Sequence, residues 1–206
     1  MDAHREFFEK LAEEWDAQQP RERQEHIRKL LIEFAPCLAD SRRLLSVGSG
    51  TGVLPDILEQ IDPGITVFSL DVAFAMLRFH RSRDKKTRLV QGDVHFLPFL
   101  ACTFDSIICH NSFPHFHDHP KALREMVRIL ENGKWLVILH DTSREKVNSV
   151  HTNANSRVIH HDLLPDARRL SGLFSSCGLS KIKVFEGCDF FLAIGRKEPE
   201  GLIPVV

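Results

Sequence analysis

The stretch RRLLSVGSGTGVLPDILEQI, Arg42 to Ile61, decides how this chain folds. Leu44, Leu45, Ser46 and Val47 form a short apolar run of the kind a buried strand uses, and Gly48, Ser49, Gly50, Thr51 and Gly52 follow at once. Behind them Leu54, Ile57, Leu58 and Ile61 recur at helical spacing. A strand, a glycine turn and a helix are therefore predicted in that order. Glycines at 48, 50 and 52 permit positive φ and leave no Cβ between main chain and ligand, while the helix entrance adds unpaired N–H groups that attract negative charge. Taken alone, the same three glycines also suit a tight turn built for packing.

The following strand gives the turn a partner. Ile65 to Leu70 reads as a second strand, and Asp71 sits where its carboxyl end emerges. A carboxylate about twenty positions beyond a glycine loop is placed to accept both ribose hydroxyls of a bound nucleoside. A dinucleotide fold would carry G-x-G-x-x-G, but the sixth position here is Val53 and the third glycine falls one residue early. That spacing disfavours a nicotinamide-dependent oxidoreductase. At these residues the chain resembles the class I S-adenosylmethionine-dependent methyltransferases, in particular the type 11-like domain. The first motif of that family has the form of VGSGTG, and its ribose-binding acid matches Asp71. The resemblance continues at Asp93 and Val94, which are similar to the pair that brackets the adenine. It implies S-adenosyl-L-methionine as methyl donor, with Gly48, Ser49, Gly50, Gly52, Asp71, Val72, Asp93, Val94 and His110 as the residues that bind it.

Composition bounds the remaining possibilities. A chain of 206 residues with 43% hydrophobic and 27% charged content is ordinary for one globular domain and argues against disorder. Lys+Arg number 27 against 28 for Asp+Glu, so no global field favours nucleic acid or an anionic membrane. The opening residues MDAHREFFEK lack an apolar core for a secretory signal, and no run approaches the length of a membrane span. Five cysteines without a C-x-x-C pair fit reduced thiols in a cytoplasm. The expectation is a single cytoplasmic domain, monomeric or homodimeric, with residues 1–40 a helical lid segment, 41–197 the core and 198–206 a tail.

Two amphipathic helices, 4–17 and 23–34, are predicted around Pro20, and residues 73–82 form a further helix with a surface or half-buried His80. Thr87–Gln91, Thr103–Cys109 and Lys134–Leu139 read as the third, fourth and fifth strands. Pro114 and Pro120 hold the chain out of regular helix until Lys121, and Glu131, Asn132 and Gly133 end the helix that follows. Thr142–Pro165 is polar. A last helix runs from Asp166 to Cys177, stopped at Gly178, and Lys181–Phe185 and Phe190–Ile194 form a hairpin through Gly187. The fold class is α/β: a doubly wound, mostly parallel seven-stranded sheet of Rossmann-like methyltransferase type with an antiparallel C-terminal hairpin.

The most unusual segment, HNSFPHFHDHP, holds His110, His115, His117 and His119 and leaves the carboxyl end of the fourth strand. If the fourth and fifth strands are neighbours, His110 and His140 start about 5 Å apart at the edge where open α/β sheets bind ligands. Histidine is the side chain suited to taking a proton from an acceptor near neutrality, so His110 and His140 are the catalytic candidates. Imidazoles also suit zinc and other transition metals, with His115, His117, His140 and His151 as the candidate ligands. A solvated surface cluster is the plainer account of the same residues. Arg144 is a candidate clamp for a substrate carboxylate or phosphate. The fourth strand lacks the N-P-P-aromatic sequence of nucleic-acid amino-group methyltransferases, so the leading reading is a methyltransferase acting on a small-molecule acceptor in a His-rich pocket. The competing reading is a non-catalytic sensor that binds S-adenosylmethionine or a metal.

Overall fold

The computed structural model describes residues 3–15, 21–83 and 86–199. Seven strands form one sheet: β1 (Arg43–Val47), β2 (Thr66–Asp71), β3 (Arg88–Gln91), β4 (Phe104–His110), β5 (Leu130–His140), β6 (Leu179–Glu186) and β7 (Phe191–Lys197). Their order is β3-β2-β1-β4-β5-β7-β6. The first five strands run parallel, and β7 inserts antiparallel between β5 and β6, so the expected closing hairpin forms one edge. Strand order reverses between β1 and β4, which places a crevice at their carboxyl ends.

Among the described residues the α-helices are α1 (Ala3–Trp15), α2 (Arg21–Phe34), α3 (Val53–Ile61), α4 (Phe74–Arg83), α5 (His119–Ile129), α6 (Arg144–Thr152) and α7 (Ala167–Ser176). The central strands are buried on both sides, as the continuous apolar runs of β4 and β5 require. Ile107, Cys109, Leu136 and Ile138 join one apolar cluster with Leu123, Met126 and Phe174 of α5 and α7. Their neighbours Ile108, Val137 and Leu139 join the other, with Ile27 and Leu31 of α2 and Ile57 of α3. A third, small cluster seats Ala12 of α1 on Ala73 and Met76 at the start of α4.

Several boundaries differ from the sequence reading, each for a local reason. α5 starts at His119 rather than after Lys121, because Pro120 stands in the first turn, where no N–H is needed, and the Asp118 carboxylate accepts from Lys121 N at 2.9 Å. Residues 131–133 belong to β5 and do not end the helix: Gly133 takes φ +76°, its carbonyl accepts from Arg196 Nε at 2.6 Å, and the register shifts opposite Phe104–Ser106. The polar stretch after Asp141 contains α6, capped by Ser143, with Val147 buried. His80 is fully buried beneath the glycine turn, not at the surface. The predicted helix end at 16–17, Pro20 and tail residues 200–206 lie outside the described residues. Among the described residues no helix is long and apolar enough to cross a membrane.

Candidate active site

An open cleft of about 1030 Å³ lies over the carboxyl ends of β1, β2 and β4. Gly48, Ser49, Gly50 and Thr51 form its floor, Asp71 and Val72 one wall, Asp93, Val94 and His95 another, and His110, Asn111 and Ser112 a third. His4, Phe8 and Trp15 of α1 and Arg23 of α2 also face it.

The three glycines of the turn do different work. Gly48, Gly50 and Gly52 all take left-handed φ values, +62°, +54° and +95°. A Cβ on Gly48 would stand 2.4 Å from Ser112, and one on Gly52 would stand 2.3 Å from the His80 ring. Those two are bare because the fold packs against them. Among the described residues a Cβ on Gly50 would meet only Trp15 Nε1, at 3.9 Å, so its missing side chain opens the cleft. Gly52 does not line the cleft, whereas Gly48, Ser49 and Gly50 do.

Asp71 ends β2 almost fully buried, and its two oxygens accept from Gly50 N at 2.8 Å and Ala73 N at 2.9 Å. It thereby fixes the glycine turn to the next strand. Each carboxylate oxygen retains a second lone pair for a ligand hydroxyl. Burial raises the Asp71 carboxyl to about 6, against the lowering effect of the backbone bonds. Asp93 accepts from His95 N at 2.9 Å and His95 Nδ1 at 2.6 Å; burial raises its carboxyl, but these bonds outweigh it and bring the value down. His95 is buried, receives Asp118 N at 3.3 Å on Nε2, and lies tilted against His117 at 3.8 Å between ring centroids.

His110 and His140 do come from adjacent strands, but they do not converge. His110 pairs with Leu139, so the alternation of side chains puts His140 on the opposite face, packed edge-on to Phe191. His110 lines the cleft and His140 does not. Burial, with His110 and His115 adding repulsion, lowers His140 to about 3. Its Nε2 is buried without a hydrogen-bond partner among the described residues.

The partner of His110 is a residue outside the predicted set. Asp141 Oδ1 lies 3.4 Å from His110 Nε2, an ion-pair separation without hydrogen-bond geometry, and Asp141 accepts from Asn111 and from both Nε and a terminal nitrogen of Arg23. Burial pushes the Asp141 carboxyl up, but His110 and Arg23 outweigh it and hold it well below the usual carboxylate range. One α2 cation is thus tied to the end of β5 beside the cleft.

The four histidines expected to hold a metal do not converge on one point, although the His115 and His151 rings lie 4.9 Å apart. His117 lies tilted against His95, His140 faces the far side of the sheet, and His151 donates to the Asp162 carbonyl. Among the described residues only His115 of the four joins a three-donor group, with His4 and Asp162: the Asp162 Oδ2 atom lies 2.9 Å from His4 Nε2 and 2.7 Å from His115 Nδ1. His119 stacks on Phe113 and its Nε2 donates to the Phe113 carbonyl, a packing role. Arg144 is paired with Glu186 at 3.6 Å and does not line the cleft.

Residues 45–138 match a family model described as a methyltransferase domain. A demethylmenaquinone methyltransferase of Thermotoga maritima is 32% identical over 111 residues, 54% of this chain and 46% of that protein. The demethylmenaquinone methyltransferase of Thermus thermophilus is 35% identical over 114 residues, 53% of this chain and 50% of that protein. The chain spans about half the length of these curated relatives. Among solved structures, a SAM-dependent methyltransferase of Thermotoga maritima, a possible histamine N-methyltransferase, aligns with a TM-score of 0.75. That alignment covers 94% of this chain and 99% of the other at 19% identity, a likeness of fold.

Proposed function

We propose, from the match of residues 45–138 to a methyltransferase-domain model and from a sheet of the class I methyltransferase fold, that the protein transfers a methyl group from S-adenosylmethionine to a small-molecule acceptor. The observation that carries the reading is the pairing of bare Gly50 with Asp71 across the cleft floor. The residues fit the donor. Asp71 has lone pairs to accept ribose hydroxyls, Gly50 lets a ligand lie against the main chain, and Asp93 and Val94 stand at the next strand end, where an adenine would be gripped. The bound donor supplies an electrophilic methyl on a sulfonium.

What remains for this chain is to orient the acceptor, exclude water and remove a proton where the acceptor is a hydroxyl or an amine. His110 is the base in this reading, because it faces the cleft with a carboxylate oxygen of Asp141 3.4 Å from its Nε2. Phe8, Trp15 and Arg23 bring the two leading helices over the cleft, which supports a lid role for the N-terminal segment. The aromatic lining of Phe8, Trp15 and Phe116 suits a flat acceptor. Relatives named for demethylmenaquinone give the same direction.

The test is release of S-adenosylhomocysteine from S-adenosylmethionine across a panel of quinols, phenols, imidazoles and thiols. Turnover with one class, lowered about 100-fold in kcat by His110→Gln while donor affinity is kept, is expected. Saturable donor binding with no turnover across the whole panel refutes the catalytic reading.

A further inference from the structure

We propose that His4, His115 and Asp162 form a binding site for a divalent transition-metal ion on the wall of the cleft. The three residues come from α1, from the short 3-10 turn Phe113–His115 and from the loop after α6, so the fold gathers them across 158 positions of sequence. One donor atom from each lies within 4.8 Å of the others. Their side chains are 21%, 13% and 12% exposed, which shields the site from bulk water without sealing it. His4 and His115 both line the cleft, which gives an ion its entry path.

The donor chemistry selects the class of ion. Two imidazoles and one carboxylate suit zinc, iron(II), cobalt or nickel and leave coordination positions for water or a ligand in the cleft. A tetrahedral ion with bonds of about 2.1 Å needs its ligand atoms about 3.4 Å apart. The existing separations of 2.9 Å and 2.7 Å from Asp162 Oδ2 therefore need to open by only about 0.5 to 0.7 Å. Metal binding exchanges two N–H···O bonds for three bonds to the ion: His4 Nε2 and His115 Nδ1 present lone pairs, and each ring carries its proton on its other nitrogen. The surroundings hold the ligands in place. His151 donates to the Asp162 main-chain oxygen, Phe8 meets the His115 ring edge-on at 5.0 Å, and the His151 ring lies 4.9 Å from it.

The experiment is a titration of chelator-stripped protein, carrying no polyhistidine tag, with Zn²⁺ in competition with a chromophoric chelator. A stoichiometric equivalent of zinc is expected, lost in both His115→Ala and Asp162→Ala and kept in His26→Ala on α2. Circular dichroism and the affinity for S-adenosylhomocysteine establish which variants retain fold and cleft, so a failed donor site is distinguished from a failed metal site. If either alanine variant does not fold, the visible absorption of Co²⁺ added to the wild-type protein replaces it: a ligand-field band supports the site. No saturable zinc uptake by folded wild type, uptake undiminished in the alanine variants, or no cobalt band overturns the proposal.

Discussion

Acidification should release the donor through a single carboxyl group, Asp71. Burial at the end of β2 raises that carboxyl to about 6, with the Ala73 and Gly50 N–H groups only partly offsetting it. Ionised, it accepts ribose hydroxyls on its free lone pairs; protonated, it has lost part of that capacity. With half-ionisation near 6, moving from about pH 8 to about pH 5 leaves about a tenth of the group ionised, so affinity should fall about tenfold, or about 1.4 kcal/mol. Stability should move the other way. A folded-state value above the ordinary 3.8 means the native protein holds this proton more tightly than the unfolded chain. That stabilisation is complete below the ordinary value and is lost as pH rises through about 6, a shift of about two units or about 3 kcal/mol. The assay is calorimetric titration with S-adenosylhomocysteine across the pH range, for wild type and for Asp71→Asn, which cannot ionise. A weak, pH-independent affinity is expected for the asparagine variant. Wild-type affinity that stays flat, or a slope that survives in Asp71→Asn, refutes the reasoning.

Gly50→Val should abolish donor binding while the protein stays folded, since its Cβ projects into the cleft; the backbone cost of about 1 to 2 kcal/mol at φ +54° is checked by denaturant unfolding. Gly52→Val should instead lower Tm sharply, because its Cβ falls 2.3 Å from the His80 ring inside the fold. Asp141→Ala should destabilise by about 3 kcal/mol in chemical denaturation, as it strands the Arg23 guanidinium and His110 beside an almost fully buried position. The Asp141 contribution is present above the ordinary carboxylate pKa and is lost only as pH falls far below it. Iodoacetamide should label exposed Cys102 and Cys188 rapidly at mildly alkaline pH and leave Cys109 unmodified, since burial pushes its thiol up to about 12; mass spectrometry of the alkylated peptides reads this out.

The parts of the site that were legible in the sequence are those carried by neighbours along the chain. Gly48 to Gly52 and Asp71 announce themselves because a strand end, a turn and a following helix are local, and the parallel sheet follows from repeating that unit. The pairing of β4 with β5 was legible too, but its register was not. The bulge at Gly133 sets which residue faces which, and a one-residue difference decides that His110, and not His140, looks into the cleft. Contacts between distant segments left no local trace. Nothing around His4 points to Asp162, and nothing around Arg23 points to Asp141, because each pair is made only when α1 and α2 fold over the sheet. His95 was closer to view, two residues beyond Asp93, where a capping carboxylate commonly accepts from the residue that follows its turn. α6 stayed hidden since Val147 and His151 are its only buried residues, too few to mark a period.

An experimental structure of the protein with S-adenosylhomocysteine tests the central claim most directly. The account predicts both ribose hydroxyls on the Asp71 carboxylate, the amino-acid end of the ligand against the main chain at Gly50, and the sulfur turned toward the His110 side of the cleft. A nucleoside bound away from Asp71, or a folded protein whose crystals take up no ligand at saturating concentration, contradicts it.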